Sequence, residues 1–245
     1  MSKFVVAAGY RFVDLTCLNA LKCGLQDRAA AAGLKGTVLL AEEGINFSLA
    51  GEPAALQGWL DALQADERFA ALPLKRSHSA QMPFARLKVK IKHEIIRMNQ
   101  PTVRPALSRA ASVDAQTLAR WLKAGRCDEG RELVLVDTRN GFEVDAGAFD
   151  GALDWRLNSF GDFPQALATH AAALAGKTVV SYCTGGIRCE KAALWMQQQG
   201  VGHALQLDGG ILGYFKAVPA APGWRGRCFV FDEREGLDTE LRAAA

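Results

Sequence analysis

Cys183-Thr184-Gly185-Gly186-Ile187-Arg188-Cys189 is the stretch of this 245-residue chain best suited to covalent chemistry. It follows an apolar run, Thr178 to Tyr182, that reads as a strand, and leads into a helix expected from about Cys189 to Gln199 and ended by Gly200. Two adjacent glycines after a strand let the backbone curl tightly, so that successive N–H groups point inward. The positive end of the following helix dipole adds to that field, and Arg188 adds a guanidinium. A thiol at position 183 is therefore expected to ionise below its usual pKa of about 8.5, in the range of roughly 3.5–7.5, as a nucleophile or as a carrier of sulfane sulfur. The pattern Cys-x-x-Gly-x-Arg is one residue shorter than the loop that cradles phosphate in cysteine phosphatases, so sulfur or another small group fits it better.

Cys189 reads in two ways: as a resolving thiol able to close a disulfide with Cys183, or as a small residue packed under the loop. Cys17, Cys23, Cys127 and Cys228 have no comparable surroundings and are expected to pack as small apolar residues. The histidines at 78, 93, 170 and 203 form no ligand pattern and there is no CxxC pair, so no metal site is expected.

The loop needs a scaffold, and the second half of the chain spells one. Short, nearly continuous apolar runs, LVLVD, TVVSYC and HALQL, alternate with helical stretches from Glu132 onward. Strands of that composition are buried on both faces, which calls for a parallel sheet covered by helices. Ahead of it, Ser112 or Asp114 can cap a helix that runs to about Lys123 and ends at Gly125.

The first half has a different grammar. KFVVAAGY reads as a strand, Asp14 to Ala32 as a helix ended by Gly33, and GTVLLAEEGINFSLAG as a hairpin turning at Glu43-Gly44. Pro53 to Gln64 reads as a second helix and Leu87 to Ile96 as a strand with one buried face. The order β-α-β-β-α-β suggests a ferredoxin-like sandwich. Residues 99–112, with two prolines and little periodicity, read as a linker. The expected division is 1–98, 113–235 and a frayed tail at 236–245.

Charge is uneven. The formal net charge is +3, yet from Lys75 to Arg109 nine Lys or Arg face one acid, Glu94. Such a stripe can neutralise several phosphates of a nucleic acid. Lys75, Arg76, Arg86, Lys88, Lys90, Lys92, Arg97 and Arg104 are the candidate RNA contacts, with Lys88, Lys90 and Lys92 on one strand face. No apolar run reaches the roughly 18 residues of a membrane helix, and MSKFVVAAGYRFVDL does not read as a secretion signal. Six cysteines spread thinly over the chain suit a reducing cytoplasm.

Two resemblances sharpen this picture. LVDTRNGFEVDAGAFDGA resembles the first strand and Asp-x-Arg signature of rhodanese domains, and LDGGILGY resembles their closing segment, a match spanning about 110 to 235. It implies that Asp137 and Arg139 are structural ionic partners near the loop and that Asp208, Gly209 and Gly210 form the turn beside it. More narrowly, GTVLLAEEGIN, PFARLKVKIKHEI, VDTRN, CTGGIRCEKA, LDGGIL and CFVFDER, in that order, resemble the rhodanese-type bacterial tRNA uridine hydroxylases, which oxidise the wobble uridine at C5.

That resemblance implies an α/β chain with a ferredoxin-like, acylphosphatase-like first domain and a rhodanese-like parallel sheet with helices on both faces. It implies oxygen-dependent formation of 5-hydroxyuridine with Cys183 essential, the tRNA anticodon arm as partner, and neither DNA nor membrane. Some members carry a longer cysteine-rich tail; this chain stops soon after Asp232-Glu233-Arg234, and the short form is expected to be complete. No flavin, haem or iron motif is recognisable, so molecular oxygen and a possible cysteine persulfide are the expected participants. The loop by itself also fits a sulfurtransferase working through a Cys183 persulfide. A non-catalytic RNA-binding module on the same scaffold is the third reading.

Overall fold

The computed structural model of the chain describes residues 3–243. They separate into two compact units: the chain up to Ile96 together with Phe231–Arg234, and Arg97–Val230 together with the residues from Glu235 on. The sequence reading gave Phe231–Arg234 to the second domain. Here the Glu233 amide donates to the Pro83 carbonyl at 3.0 Å and Arg234 Nη1 donates to Ser77 Oγ at 2.7 Å, both within the first unit.

The first unit runs β1 (Phe4–Phe12), α1 (Leu18–Ala31), β2 (Lys35–Ala41), β3 (Gly44–Gly51), α2 (Pro53–Gln64), β4 (Leu74–Ser79) and β5 (Leu87–Ile91). Its sheet has the order β4-β1-β3-β2-β5, antiparallel except that β5 runs parallel to β2. The ferredoxin-like sandwich is present, but its closing strand is β4, which the sequence reading missed. Leu87–Ile91 is a fifth strand added at the opposite edge, and it stops at Ile91 rather than Ile96. Alternation sorts the faces. Val5, Ala7, Val38, Leu40, Phe47 and Leu49 point to one side, where Leu25 and Ala29 of α1 and Leu56, Trp59, Leu60 and Leu63 of α2 cover them. Helix α1 starts at Leu18 rather than Asp14 because Cys17 takes a left-handed backbone, φ 52°, that cannot continue a helix inward.

The second unit runs β6 (Ser112–Val113), α3 (Ala115–Ala124), β7 (Leu133–Asp137), α4 (Gly141–Ala146), β8 (Gly147–Phe149), β9 (Leu153–Asp154), α5 (Phe163–His170), β10 (Thr178–Tyr182), α6 (Ile187–Gln198), β11 (Ala204–Leu207), α7 (Gly210–Ala217), β12 (Trp224–Gly226), β13 (Cys228–Phe229) and β14 (Gly236–Leu237). The main sheet, β6-β11-β10-β7-β9, is parallel throughout. Central β10 is buried along its whole length, as its apolar composition requires. Asp114 is the cap of α3, its carboxylate accepting from the amides of Gln116 and Thr117, and left-handed Gly125 ends the helix. Phe149 anchors the core, meeting Tyr182, Tyr214 and Trp224 edge to face at 5.0, 4.9 and 5.2 Å. The tail is not wholly frayed: β14 pairs with β13, and Leu237 is buried. Residues 244 and 245 of the expected tail lie outside the described residues. Among the described residues no helix is long and apolar enough to cross a membrane.

Candidate active site

Three neighbouring strands of the parallel sheet deliver the site from their C-terminal ends, where open α/β sheets hold their ligands. Cys183 follows directly on β10, Asp137 ends β7, and β11 leads into the turn Asp208-Gly209-Gly210; register pairs Tyr182 with Asp137. Gly186, φ 98°, caps α6, and Ile187 is that helix's first residue. Gly210 lies so close to the cysteine loop that a Cβ there would stand 2.5 Å from the Cys183 carbonyl oxygen, 2.7 Å from the Gly186 nitrogen and 2.9 Å from the Gly185 carbonyl carbon. The Ile211 and Leu212 amides donate to the Cys183 and Thr184 carbonyls at 2.9 and 3.1 Å, fixing the loop on the start of α7.

Cys183 is 1% exposed, and its sulfur accepts a hydrogen bond from the Gly186 amide at 3.1 Å. Burial alone would push this thiol up. The hydrogen bond from Cys189, the Arg188 charge and the amides of Arg188 and Gly186 together outweigh burial and hold it well below the ordinary thiol range. Cys189 moves the other way, raised by burial and by the neighbouring Cys183 sulfur, while the Thr138 hydroxyl stands 3.7 Å from it. The two sulfurs are thus pushed in opposite directions. Cys228, also buried, is pushed up to about 12, chiefly by burial.

Arg188 is committed to a partner that sequence reading did not name. Its Nη1 and Nη2 donate to the Glu143 carboxylate at 2.6 and 2.8 Å. Glu143, wholly buried in α4, also accepts from the Asn140 amide at 3.0 Å. The spacing Asn140-x-x-Glu143 is that of a helix-capping pair, the one local signal available, and it does not say that the carboxylate turns toward an arginine 45 residues on.

Asp137 and Arg139 form a second buried fork, with Nε to Oδ1 at 2.9 Å and Nη2 to Oδ2 at 2.6 Å. Arg139 also donates to the carbonyls of Glu143 at 3.2 Å and Gly147 at 2.6 Å, so it braces α4, the helix that carries Glu143. Asp208 stands further out: it is exposed, with Oδ1 3.8 Å from Arg109 Nη2. The Thr184 hydroxyl donates to the Phe229 carbonyl at 3.5 Å. Among the described residues no cluster of three or more His, Cys, Asp or Glu is placed to hold a metal ion.

Residues 4–95 match the UPF0176 acylphosphatase like domain, and 114–217 match the rhodanese-like domain. Over 235 residues, 96% of this chain and 97% of the relative, the sequence is 56% identical to the tRNA uridine(34) hydroxylase of Bordetella avium. The chain belongs to the tRNA uridine(34) hydroxylase family. The protein of that name from Variovorax paradoxus is 54% identical over 100% of this chain and 93% of its own length, and that from Cupriavidus necator 50% over 99% and 86%.

The basic residues of this family member do not form the single stripe that their order in the sequence suggests. Lys75 and Arg76 lie on β4 and Lys88 and Lys90 on β5, at opposite edges of the first sheet, while Arg97 and Arg104 belong to the second unit. Register nevertheless lines up Lys75, Ala8, Ser48, Thr37 and Lys88 as one row across the sheet. The row faces away from α1 and α2, and four strand spacings of about 4.8 Å separate its end residues. Arg76 faces the helices and donates to Gln57 at 2.6 Å. Lys92 continues beyond β5, and Arg86 precedes it; both are exposed.

Proposed function

We propose that this chain hydroxylates the wobble uridine of tRNA at C5, giving 5-hydroxyuridine, with Cys183 as the reacting group and molecular oxygen as co-substrate. The observation that carries the reading is the depressed thiol at the C-terminal edge of the parallel sheet, in a chain 56% identical to tRNA uridine(34) hydroxylases. A base can be modified only outside its stack, so the anticodon arm presents the uridine unstacked. The thiolate adds to C6 and makes C5 electron-rich; C5 takes one oxygen atom of O2, and loss of the C5 proton and of the thiolate restores the ring. The second oxygen atom leaves as water, which takes two electrons and two protons. Cys189 takes that atom from the C5 peroxide as a sulfenic acid, and once the base is free the Cys183 thiolate displaces it as water and closes a disulfide. The pair supplies the two electrons and one proton, and solvent the other proton. The lysines on the helix-free sheet face of the first unit hold phosphates of the same arm, and a tRNA substrate implies a cytoplasmic reaction.

The burial of Cys183 favours a second reading, a sulfurtransferase in which a persulfide on this residue is the small group that the loop encloses. One strain separates the two. tRNA from cells carrying only Cys183→Ser, digested and analysed by nucleoside mass spectrometry, should lack 5-hydroxyuridine. Unchanged modification, with thiosulfate turnover at the rate of a dedicated sulfurtransferase in the unaltered protein, reverses the order.

A further inference from the structure

Two aromatic side chains stand beside the cysteine loop and have no part in the chemistry above. Phe142 lies in α4, next to the Glu143 that grips Arg188. It is 51% exposed, one of four large apolar side chains so placed among the described residues, with Ile91, Leu107 and Phe231. Its ring meets that of Phe229 edge to face, centroids 5.2 Å apart and planes at 84°. Phe229 in turn accepts, through its carbonyl, the hydrogen bond of the Thr184 hydroxyl. Thr184 follows Cys183 directly. The segments that carry the two rings are therefore tied to the reactive loop, through the side chain of Glu143 next to Phe142 and through the main chain of Phe229.

An exposed apolar surface beside a polar, charge-lined loop marks a place where something apolar and flat is received. A nucleobase out of its stack is such a group. It has lost its neighbours above and below, and it regains a partner on an aromatic ring whatever its hydrogen-bonding edge, because every base has a π-face. Phe229 holds Phe142 at a fixed angle, which makes it a platform rather than a loose side chain.

We propose that Phe142, backed by Phe229, is the surface on which the pyrimidine entering the site stacks. The assignment rests on the tRNA-uridine reading and adds to it the side chain that holds the base. Cys183 supplies the reaction, Phe142 the grip.

The test uses the whole protein and an anticodon stem-loop with 5-bromouridine at the wobble position. Irradiation should join the base to the tryptic peptide Asn140 to Arg156, with fragmentation placing the adduct on Phe142. Phe142→Ala should weaken binding of the stem-loop roughly 5- to 150-fold, the range of one lost base–aromatic stack, and should reduce 5-hydroxyuridine in cells. Phe142→Trp should keep both, and Leu107→Ala, at another exposed apolar residue, should change neither. An adduct that maps away from Phe142 in the unaltered protein overturns the proposal without requiring any variant to fold. So does Phe142→Ala with unchanged binding and modification, a result that would leave the surface to a protein partner. If 5-hydroxyuridine is lost in Cys183→Ser but unaffected by Phe142→Ala, the platform alone is wrong. If both variants keep it, the hydroxylation reading has failed and the platform with it.

Discussion

The Arg188 guanidinium and the Glu143 carboxylate meet fork to fork, 2.6 and 2.8 Å apart at their two contacts, with both side chains buried. The pair is neutral as a whole, so Cys183 feels an oriented dipole rather than a full positive charge. Glu143 both holds Arg188 in place and limits its field. These two roles can be separated by substitution.

Glu143→Gln keeps one acceptor for Arg188 but removes the negative charge. The thiolate then becomes the main counter-charge of a buried guanidinium, and the Cys183 pKa should fall further. Glu143→Ala removes the acceptor altogether, Arg188 turns toward water, and the pKa should rise. Letting Arg188 out to water breaks the buried pair and opens the packing around it, so Glu143→Ala should also lower stability by about 3–5 kcal/mol. Rates of Cys183 alkylation against pH, read peptide by peptide, and denaturant midpoints measure the two effects. Identical alkylation profiles in both variants would remove the pair from the thiolate's field.

Cys183 and Cys189 should separate in the same experiment. With its pKa lowered, Cys183 should react at full thiolate strength through neutral pH and lose reactivity only in acid; Cys189, raised, should stay unreactive through the ordinary thiol range near about 8.5. Linkage gives opposite signs. The depressed Cys183 contributes stability that is complete above the unfolded value and is lost as pH falls through the folded one. The raised Cys189 contributes stability that is complete below the unfolded value and is lost as pH rises toward the folded one. Cys183→Ser should therefore flatten the acid side of the stability profile and Cys189→Ser the alkaline side. Cys189→Ala should in addition raise the Cys183 pKa, because the thiolate loses a hydrogen-bond donor.

What could be read from the sequence follows from how local each feature is. The Cys183 loop was legible because strand, glycines, arginine and helix are contiguous and each constrains the next. Glu143 was not: sheet register and the Arg139 brace bring it to Arg188. Strand β4, LKRSHS, was missed because an edge strand carries little of the two-faced apolar signal that marks inner ones. The basic residues were counted correctly but misplaced as a group, since order in the chain says nothing of which sheet edge a strand takes. Lys75 and Lys88 share a row only because three strands intervene.

Gly210 should tolerate no side chain. Its φ of +64° disfavours any other residue by about 1–2 kcal/mol, and the atoms a Cβ would meet are loop backbone that no side-chain motion can clear. Gly210→Ala should displace the Cys183 carbonyl and the Gly186 amide, raising the Cys183 pKa and abolishing modification. Gly200→Ala is the control. It has the same handedness, φ +85°, but nothing within 4 Å, and should lose stability without changing thiol reactivity.

The last prediction concerns the face of the first sheet that α1 and α2 do not cover. Lys75 and Lys88 end one row across it, with Ser48 and Thr37 between them, while Arg76 lies on the opposite, helix-covered face beside Gln57. If the row follows a phosphate backbone, each lysine releases counterions on binding. The slope of log affinity against log salt should then fall by about 0.7–0.9 for each lysine replaced by alanine. Lys75→Ala and Lys88→Ala should each show that change, and the double variant the sum, because about four strand spacings separate the sites and distant substitutions add. Arg76→Ala, one residue away in sequence but on the other face, should leave the slope alone. Equal effects from Arg76→Ala and Lys75→Ala would mean that charge near the β4 edge, not the face of the sheet, attracts the RNA, and the row would lose its role.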